Sequence, residues 1–373
     1  MAIKNNITAP ELNRVIIKAP EAKQEKSSFL PVLHGKATDA IANMAGSSIV
    51  ENKLNNTGVV NTGEVKLVLD KFTELTGTLG VSTHKLLSTA VAEFTALNHT
   101  GSKAREASFY GVSIPLKEYA FMCGYDVIEH ETKTPEEAQA EALRAKRALD
   151  NARRKINKDL AILFSSSLSW TEKVRGKQAD YMDIRLIQAK GIKRGNIQLV
   201  FSNIFGEYLI KLPLSQYPVA LLSLDERNIN AYEVGLKIAE HFSLDNNQIR
   251  GTAQLLKVKT LLVVTNLPSI DNISVKKNGW ENRIKEPLET ALDALAACGL
   301  LEDWRYSKSK GEEFTDAEAT SFMSYEEWEN TLVHFTLKDA PNHTARLEAR
   351  AKEKKAKQAK SKKKTSKKKS DTE

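Results

Sequence analysis

A long helix with two opposed faces constrains this chain more than any other stretch of it. The helix is predicted from Thr134 to Leu163, because Thr134 can cap the first turn and Pro135 fits the first helical position. Glu137 completes a capping box. Apolar residues recur at spacings of three and four and form one stripe: Ala138, Ala142, Ala145, Leu149, Ala152, Ile156, Leu160 and Leu163. Such a stripe must bury against a core, so the helix is predicted to belong to a folded domain.

A row of basic and amide side chains lies roughly opposite the apolar stripe when successive residues are placed about 100° apart. The row contains no acidic residue, and its members are Arg144, Arg147, Asn151, Arg154 and Lys158. One interpretation is an ordinary solvated helix face. The other is a surface that reads DNA, because Arg and Asn make bidentate hydrogen bonds to guanine and adenine in the major groove. The neighbouring elements must distinguish the two.

The elements predicted around the long helix follow an order known from DNA-binding domains. A helix from Thr83 to Leu97 precedes it, as does a short helix that starts near Pro115 and ends at Gly124. Two strands follow, at residues 181–187 and 197–201, and the hairpin tip between them carries Lys190, Lys193 and Arg194. This order is typical of a winged helix-turn-helix, whose last helix enters the major groove. Basic residues at a hairpin tip are also consistent with a turn that is merely soluble.

The second half of the chain repeats this plan without repeating the sequence. Its predicted elements are helices at residues 230–242, 257–267 and 280–295 and strands at residues 300–306 and 331–337. Pro287 interrupts the third helix pattern and is predicted to move its start toward Lys285. The residues near that start that suit DNA are Lys276, Lys277, Asn282, Arg283 and Lys285, whereas the exposed row continues with Glu286, Glu289 and Asp293.

The predicted fold class is α+β, mostly helical, with two tandem winged helix-turn-helix domains between two disordered ends. The predicted domains are a flexible arm at 1–64, a first winged-helix domain at 65–212, a second at 213–340 and a basic disordered tail at 341–373. The arm has one aromatic residue and too few apolar residues for a core. An apolar bridge from Phe205 to Asp225 is predicted to pack the two domains together.

Charge is concentrated in the tail. Residues 346–373 carry thirteen basic and four acidic side chains, whereas the whole chain has a net charge of +8, so the remainder is close to neutral. Any DNA binding by the folded part must therefore use local faces, while the tail would add affinity that does not depend on DNA sequence.

Motifs for catalysis, metal binding or membrane insertion are absent from the sequence. The seven histidines form neither an HxH pair nor an HExxH motif, no phosphate-binding loop occurs, and Cys123 and Cys298 have no CxxC spacing. The first residues lack a signal-peptide pattern, and no run of 18 apolar residues occurs. We therefore expect a cytoplasmic, nucleoid-associated protein that is not an enzyme, uses no cofactor or metal and does not enter membranes.

Four stretches together carry a resemblance to a known family. They are VSIPLKEYAFMCGYDV before the long helix, FSNIFGEYLIKLPLSQY at the domain junction, WENRIKEPLETALDALAACGLLEDWRY, and SYEEWENTLVHFTL. In these stretches and in element order, residues 65 to 340 resemble the winged-helix replication initiators (Rep proteins) of bacterial plasmids and related mobile elements.

This resemblance implies that each long helix would read one half of an origin repeat in double-stranded DNA and that bound copies would help to open adjacent AT-rich DNA. It also implies self-association as a dimer and contact with a host helicase or helicase loader. Two alternatives remain at this point. One is a winged-helix transcriptional repressor, and the other is a non-catalytic structural or adaptor protein whose tail binds nucleic acid.

Overall fold

A computed structural model describes most of the chain between residues 29 and 338. The described residues are 29–33, 35, 37–38, 41, 49–62, 65–75, 80–100, 103–104, 110–131, 134–174, 177–212, 214–272, 275, 279–309, 312–315 and 324–338. They form helices and several small antiparallel sheets, so the predicted mixture of α and β structure is confirmed. The tail at 341–373 and the first 28 residues lie outside this description.

The helices of the described residues are α1 (Val81–Asn98), α2 (Leu116–Met122), α3 (Pro135–Ser165), α4 (Asn203–Lys211), α5 (Ala220–Ser223), α6 (Ile229–Ser243), α7 (Asp245–Arg250), α8 (Val258–Leu262), α9 (Glu286–Ala297) and α10 (Tyr325–Asn330). A 3-10 turn spans Phe72–Glu74, and a π-helical turn spans Glu281–Lys285. The helices that the sequence predicts at 83–97, 134–163 and 230–242 are confirmed within two residues at each end.

The strands are β1 (Phe29–Leu33), β2 (Val50–Asn52), β3 (Thr57–Thr62), β4 (Val65–Asp70), β5 (His99–Thr100), β6 (Lys103–Ala104), β7 (Gly111–Pro115), β8 (Ser166–Val174), β9 (Lys177–Arg185), β10 (Ile187–Lys193), β11 (Asn196–Phe201), β12 (Leu214–Pro218), β13 (Leu255–Lys257), β14 (Leu301–Ser309), β15 (Glu312–Glu313) and β16 (Leu332–Leu337).

The two halves of the chain share one order of elements and one strand arrangement. In the first half, α1, β7, α2, α3, β10 and β11 occur in this order, with β5 and β6 before β7 and with β8 and β9 before β10, and the sheet order is β10-β11-β7. In the second half, α6, β13, α8, α9, β14 and β16 occur in this order, with α7 before β13 and with β15 and α10 before β16, and the sheet begins β13-β16-β14. In each half the last strand therefore lies between the other two. The prediction of two tandem winged-helix domains stays a prediction.

The first half carries a second sheet that the sequence did not predict. Its order is β2-β3-β4-β8-β9, so the long hairpin β8–β9 joins strands that precede α1. Val60, Leu67 and Leu168 are buried beneath it. The prediction of a flexible arm at 1–64 is therefore wrong for residues 29–33 and 49–62. Although the arm has few apolar residues, alternation along β3 and β4 is enough to bury one face of the sheet.

A two-stranded ribbon of β1 and β12 separates the two hydrophobic cores. Phe29 pairs with Pro218 and Leu33 with Leu214. Leu30 and Leu33 are an odd number of residues apart and so point to opposite faces of the strand. Leu33 belongs to the first core, which extends to Leu212, whereas Leu30 belongs to the second, which contains residues from Tyr217 to Leu337.

Buried polar contacts tie α1 to the second half. Lys85 Nζ donates to the carbonyls of Leu222 at 2.9 Å and Leu224 at 2.5 Å. His84 Nδ1 lies 2.6 Å from the hydroxyl of Tyr232, which lies 2.9 Å from the hydroxyl of Tyr217. Since the bridge contributes residues to both cores, the prediction that it packs the two halves together is confirmed.

A π-helical turn precedes α9. The amide of Glu286 donates to the carbonyl of Glu281, five residues back. Pro287 follows in the first turn of α9, where it has no N–H to give to the carbonyl four residues earlier. The prediction that the regular helix starts near Lys285 is confirmed, and Gly299 ends the element with φ of 83°.

Candidate nucleic-acid interface

The start of α3 is built as predicted. Thr134 accepts a hydrogen bond from the amide of Glu137 at 3.2 Å, and the Glu137 carboxylate accepts one from the amide of Thr134 at 3.3 Å. The apolar stripe buries only from Ala145 onward, because Ala138 is exposed and Ala142 is half-buried. The first turns of α3 therefore extend beyond the core.

Arg144, the first member of the predicted row, is engaged within the fold. It forms ion pairs with Asp126 and Glu141, the latter at 2.6 Å. It also donates to the backbone carbonyls of Asp126 at 3.1 Å and Ile128 at 2.8 Å. The sequence treated Arg144 as equal to the other members of the row, but its guanidinium instead fastens the loop after α2 to α3.

The other four members of the row are exposed. Arg147, Asn151, Arg154 and Lys158 lie on the solvent side of α3, opposite the buried Ala152 and Ile156. Within the described residues, no hydrogen bond or ion pair holds any of these four side chains. From Arg147 to Lys158 the row extends about 16 Å along the helix axis. This length is comparable to the width of the major groove, roughly 12 Å.

Sequence reasoning missed two further cations on the same helix. Lys146 and Arg153 are exposed beside the row, and in the described part of the chain neither side chain has a polar partner. Because each lies one residue before a member of the row, Arg147 or Arg154, the helical period could have predicted that they lie beside the row. Lys155 differs from them, because it pairs with Glu226 at 2.7 Å and links α3 to the second half.

The predicted hairpin exists, and its second strand is where the sequence places it, but its first strand is displaced. Residues 181–185 belong to β9, which pairs with β8, and the hairpin consists of β10 and β11. The sequence misplaced the first strand because one apolar run, from Tyr181 to Ile187, crosses the junction of two strands. Lys190 and Lys193 are consequently strand residues, and only Arg194 lies in the turn.

The turn of this hairpin is tight and anchored. Arg194 and Gly195 have φ of 50° and 73°, as in the two-residue turns that match the twist of paired strands. The carbonyl of Gly195 accepts from the amide of Leu116 at 2.8 Å. Lys190, Lys193 and Arg194 are all exposed, and Lys190 Nζ lies 5.6 Å from the centre of the Phe164 ring. Partial burial lowers the pKa of Lys190. Since β10 packs against α3, the hairpin and the basic row are on neighbouring elements.

In the second half, the predicted basic start of the helix is only partly exposed. Asn282 and Arg283 are exposed, but Lys285 is buried and its Nζ lies 3.9 Å from Glu289 Oε1. The prediction of an exposed Lys285 is therefore wrong, because the π-helical turn directs it inward. Lys276 and Lys277 lie outside the described residues.

Two acidic residues of α9, Glu289 and Asp293, contact β14. Glu289 accepts from the hydroxyl of Tyr306 at 3.0 Å, and Asp293 accepts from Trp304 Nε1 at 2.9 Å. Burial raises the pKa of Glu289. These contacts explain why carboxylates occupy the side of α9 that the sequence assigned to solvent.

Among the described residues, no group of His, Cys, Asp and Glu side chains is arranged to hold a metal ion. Burial raises the pKa of the Cys123 thiol to about 11, so it is un-ionised near neutral pH. None of the helices in the described ranges combines the length and apolar character that a membrane crossing requires.

Comparisons of the chain with protein-family models, with curated proteins and with solved structures found no match.

Proposed function

We propose that this protein binds specific double-stranded DNA through two winged-helix domains and initiates replication of a plasmid or other mobile element at repeated origin sequences. The observation that carries the proposal is the position of the exposed basic row. It lies on α3, the third helix of an order that occurs twice in the chain, with the last strand in the middle of each small sheet. In winged domains of this order the third helix reads the major groove.

The chemistry of the row supports DNA rather than an acidic protein surface as its ligand. Guanidinium and amide groups alternate along it, and these groups form paired hydrogen bonds with base edges. Cations held by neighbouring carboxylates would lose those bonds on binding, but Arg147, Asn151, Arg154 and Lys158 have no such partners within the described residues. In this proposal Arg144 positions the loop before α3 and does not read bases.

The second domain has a smaller role in recognition. Of the residues predicted to suit DNA at the start of its third helix, those that the structure describes are Asn282 and Arg283, which are exposed, and Lys285, which is buried. We assign to Asn282 and Arg283 contacts with phosphates or with one base pair, and we assign most of the sequence preference to α3. The hairpin residues Lys193 and Arg194 would contact the backbone of the same DNA segment.

The test substitutes residues of the basic row and measures how well the protein discriminates between DNA sequences. Selection from a random duplex pool with the full chain should enrich a two-part site, with halves about one helical turn apart. Arg147→Ala with Arg154→Ala should then reduce discrimination between this site and random DNA at least tenfold, because each bidentate contact is worth about 1–3 kcal/mol. Lys66→Ala with Lys211→Ala removes two exposed cations from β4 and α4 and serves as the matched control.

Deletion of residues 346–373 should weaken binding to all sequences alike and flatten the dependence on salt. If the row substitutions leave discrimination intact, α3 is not the reader. If no site is enriched and binding disappears with the tail, the chain is an adaptor with a basic end. A plasmid that carries the selected site and replicates only when this protein is supplied would separate an initiator from a repressor.

A further inference from the structure

A cavity of about 300 Å³ lies where the two halves meet. Its walls come from β1, α1, β12 and α6, so residues of both hydrophobic cores line it. The aliphatic part of the lining is Val32, Leu33, Leu87, Val91, Leu236 and Val264. This volume is at the lower end of the range for small-molecule sites, which is roughly 300–1,000 Å³.

Two buried acceptor atoms without partners face this space. Glu233 on α6 is 3% exposed, and its Oε2 has no hydrogen-bond partner within the described residues. Oε1 of Gln216, on β12, is likewise buried without a partner in that part of the chain. Both residues line the cavity. A buried acceptor without a hydrogen-bond donor lowers the stability of the fold by about 1–3 kcal/mol. A bound molecule that donates a hydrogen bond to such an atom would therefore be held in this cavity.

The cations and other titratable groups around the cavity are engaged or neutral. Lys237, four residues after Glu233, pairs with Glu240 at 2.7 Å. Burial lowers the pKa of His84 to about 4, so its ring is uncharged near neutral pH and bonds with Tyr232. Burial also raises the pKa of Tyr217, which stays protonated. None of these groups supplies a positive charge to Glu233.

We propose that this cavity binds a small molecule that carries a protonated amine and an apolar body, with the amine donating to Glu233 and Gln216. An ammonium group has donors and no acceptor, which complements the amide oxygen of Gln216 and the carboxylate that Glu233 forms when it releases its proton. The apolar body lies against the leucine and valine side chains of both cores. Because the lining comes from both halves, the bound molecule stabilises their joined arrangement. This inference does not depend on DNA binding.

The probe for the first test is n-hexylamine, with hexan-1-ol and hexanoate as neutral and anionic molecules of the same length. Titration calorimetry with the full chain at pH 7 should give a Kd of about 1 mM for hexylamine, as expected for a ligand of this size. Hexan-1-ol should bind at least tenfold more weakly, and hexanoate should not bind. Equal affinity for hexylamine and hexan-1-ol would overturn the proposal.

A proton count distinguishes a contact with Glu233 from binding elsewhere. Burial raises the pKa of Glu233 to about 8, so its carboxyl is mostly protonated at pH 7. Formation of an ammonium–carboxylate pair should therefore release about one proton, measurable in buffers of different ionisation enthalpy. Hexylamine binding without proton release would place the amine on another group and contradict the assignment.

Three variants complete the test. Glu233→Gln should weaken hexylamine at least tenfold, whereas Glu302→Gln, at an exposed carboxylate of β14, should leave its affinity unchanged. Val264→Phe should fill the cavity and block hexylamine while Glu233 remains. If Glu233→Gln does not fold, the affinity of Val264→Phe for hexylamine and the number of protons released decide whether the amine binds in this cavity. Unchanged hexylamine affinity in both cavity variants would refute the site, and the DNA-binding proposal would stand or fall separately.

Discussion

Neighbouring members of a single helical row can have opposite roles. Arg144 and Arg147 are one turn apart on α3, and the sequence gives both the same predicted exposure. The structure separates them, because the loop at Asp126 to Ile128 folds back onto α3 and reaches only Arg144. Helical periodicity could predict which side of α3 is polar. It could not predict this contact, which depends on the path of a loop without regular structure.

This difference predicts opposite outcomes for two similar substitutions. Arg144→Ala should lower the free energy of unfolding by about 1–2 kcal/mol, since it removes ion pairs and hydrogen bonds to charged and backbone acceptors. Arg147→Ala should change that free energy by less than about 0.5 kcal/mol. Urea titration of both variants measures the difference. A loss of stability in Arg147→Ala equal to that in Arg144→Ala would mean that Arg147 is also held within the fold.

A buried histidine predicts sensitivity to acid. The pKa of His84 is lowered by burial to about 4, below the value of 6.5 for an exposed ring. Between these values the unfolded chain binds more protons than the folded chain, so stability falls as pH drops from 6.5 to 4 and levels off below 4. The slope from this group is at most about 1.4 kcal/mol per pH unit.

Asp159 acts in the opposite direction over part of this range. Burial raises its pKa to about 6 despite hydrogen bonds from Ser82 and Thr83, so this group favours folding as pH falls through 6. We therefore expect His84→Gln to change the slope of the free energy of unfolding against pH between pH 4 and 6.5. The opposing slope that Asp159 contributes should then become visible. His130→Gln, at an exposed ring, is the control. Parallel stability curves for wild type and His84→Gln would rule out His84 as the acid-sensitive group.

At the scale of elements, the sequence predicted the long amphipathic helices and the strands at 197–201, 300–306 and 331–337. The helix predicted at 257–267 is helical only over Val258–Leu262. Long amphipathic helices such as α3 and α6 have start signals and a regular period, and both were found. The hairpin β8–β9 was missed and the start of β10 misplaced, because one apolar run, from Tyr181 to Ile187, crosses the junction of β9 and β10. Lys285 was assigned to solvent because a regular helical period was applied across a π-helical turn.

The π-helical turn is predicted to depend on Pro287. Replacing it with Ala restores an amide that can donate to the carbonyl of Arg283, so the regular helix should extend backward. The amide of Glu286 should then change its acceptor from Glu281 to Asn282. Scalar coupling across the hydrogen bond, measured by NMR, identifies the carbonyl that accepts from this amide. Ala297→Ser, at the exposed end of α9, is the control. An unchanged acceptor in Pro287→Ala would mean that side-chain packing, and not proline, maintains the π-helical turn.

At the scale of the whole molecule, the halves are joined by more than a linker. The ribbon of β1 and β12 contributes to both cores, and Lys85 on α1 donates to two carbonyls of the bridge. The apolar composition of the bridge predicted close packing between the halves. The contribution of β1 could not be predicted. This strand has only five residues, it lies in a stretch poor in apolar side chains, and nothing in its sequence indicates pairing with a strand near residue 218.

This joint predicts that the described halves unfold together. Calorimetry of the full chain should show one transition, with equal calorimetric and van't Hoff enthalpies. Lys85→Met removes the donor from two buried carbonyls, so it should cost about 1–3 kcal/mol and separate the unfolding of the two halves. Lys66→Met, at an exposed cation of β4, should retain the single transition. Two well-resolved transitions in the wild-type chain would show that the halves are energetically independent.

The pairing of Phe29 with Pro218 also sets an order of events during synthesis. β1 leaves the ribosome early, but its partner strand is made almost two hundred residues later. At translation rates of roughly 5–20 residues per second, this interval lasts about 10–40 seconds. During it, Leu30 and Leu33 have no completed core on either side. Arrested nascent chains that end before β12 should therefore be cut by protease near β1, whereas chains that extend well beyond it should be protected.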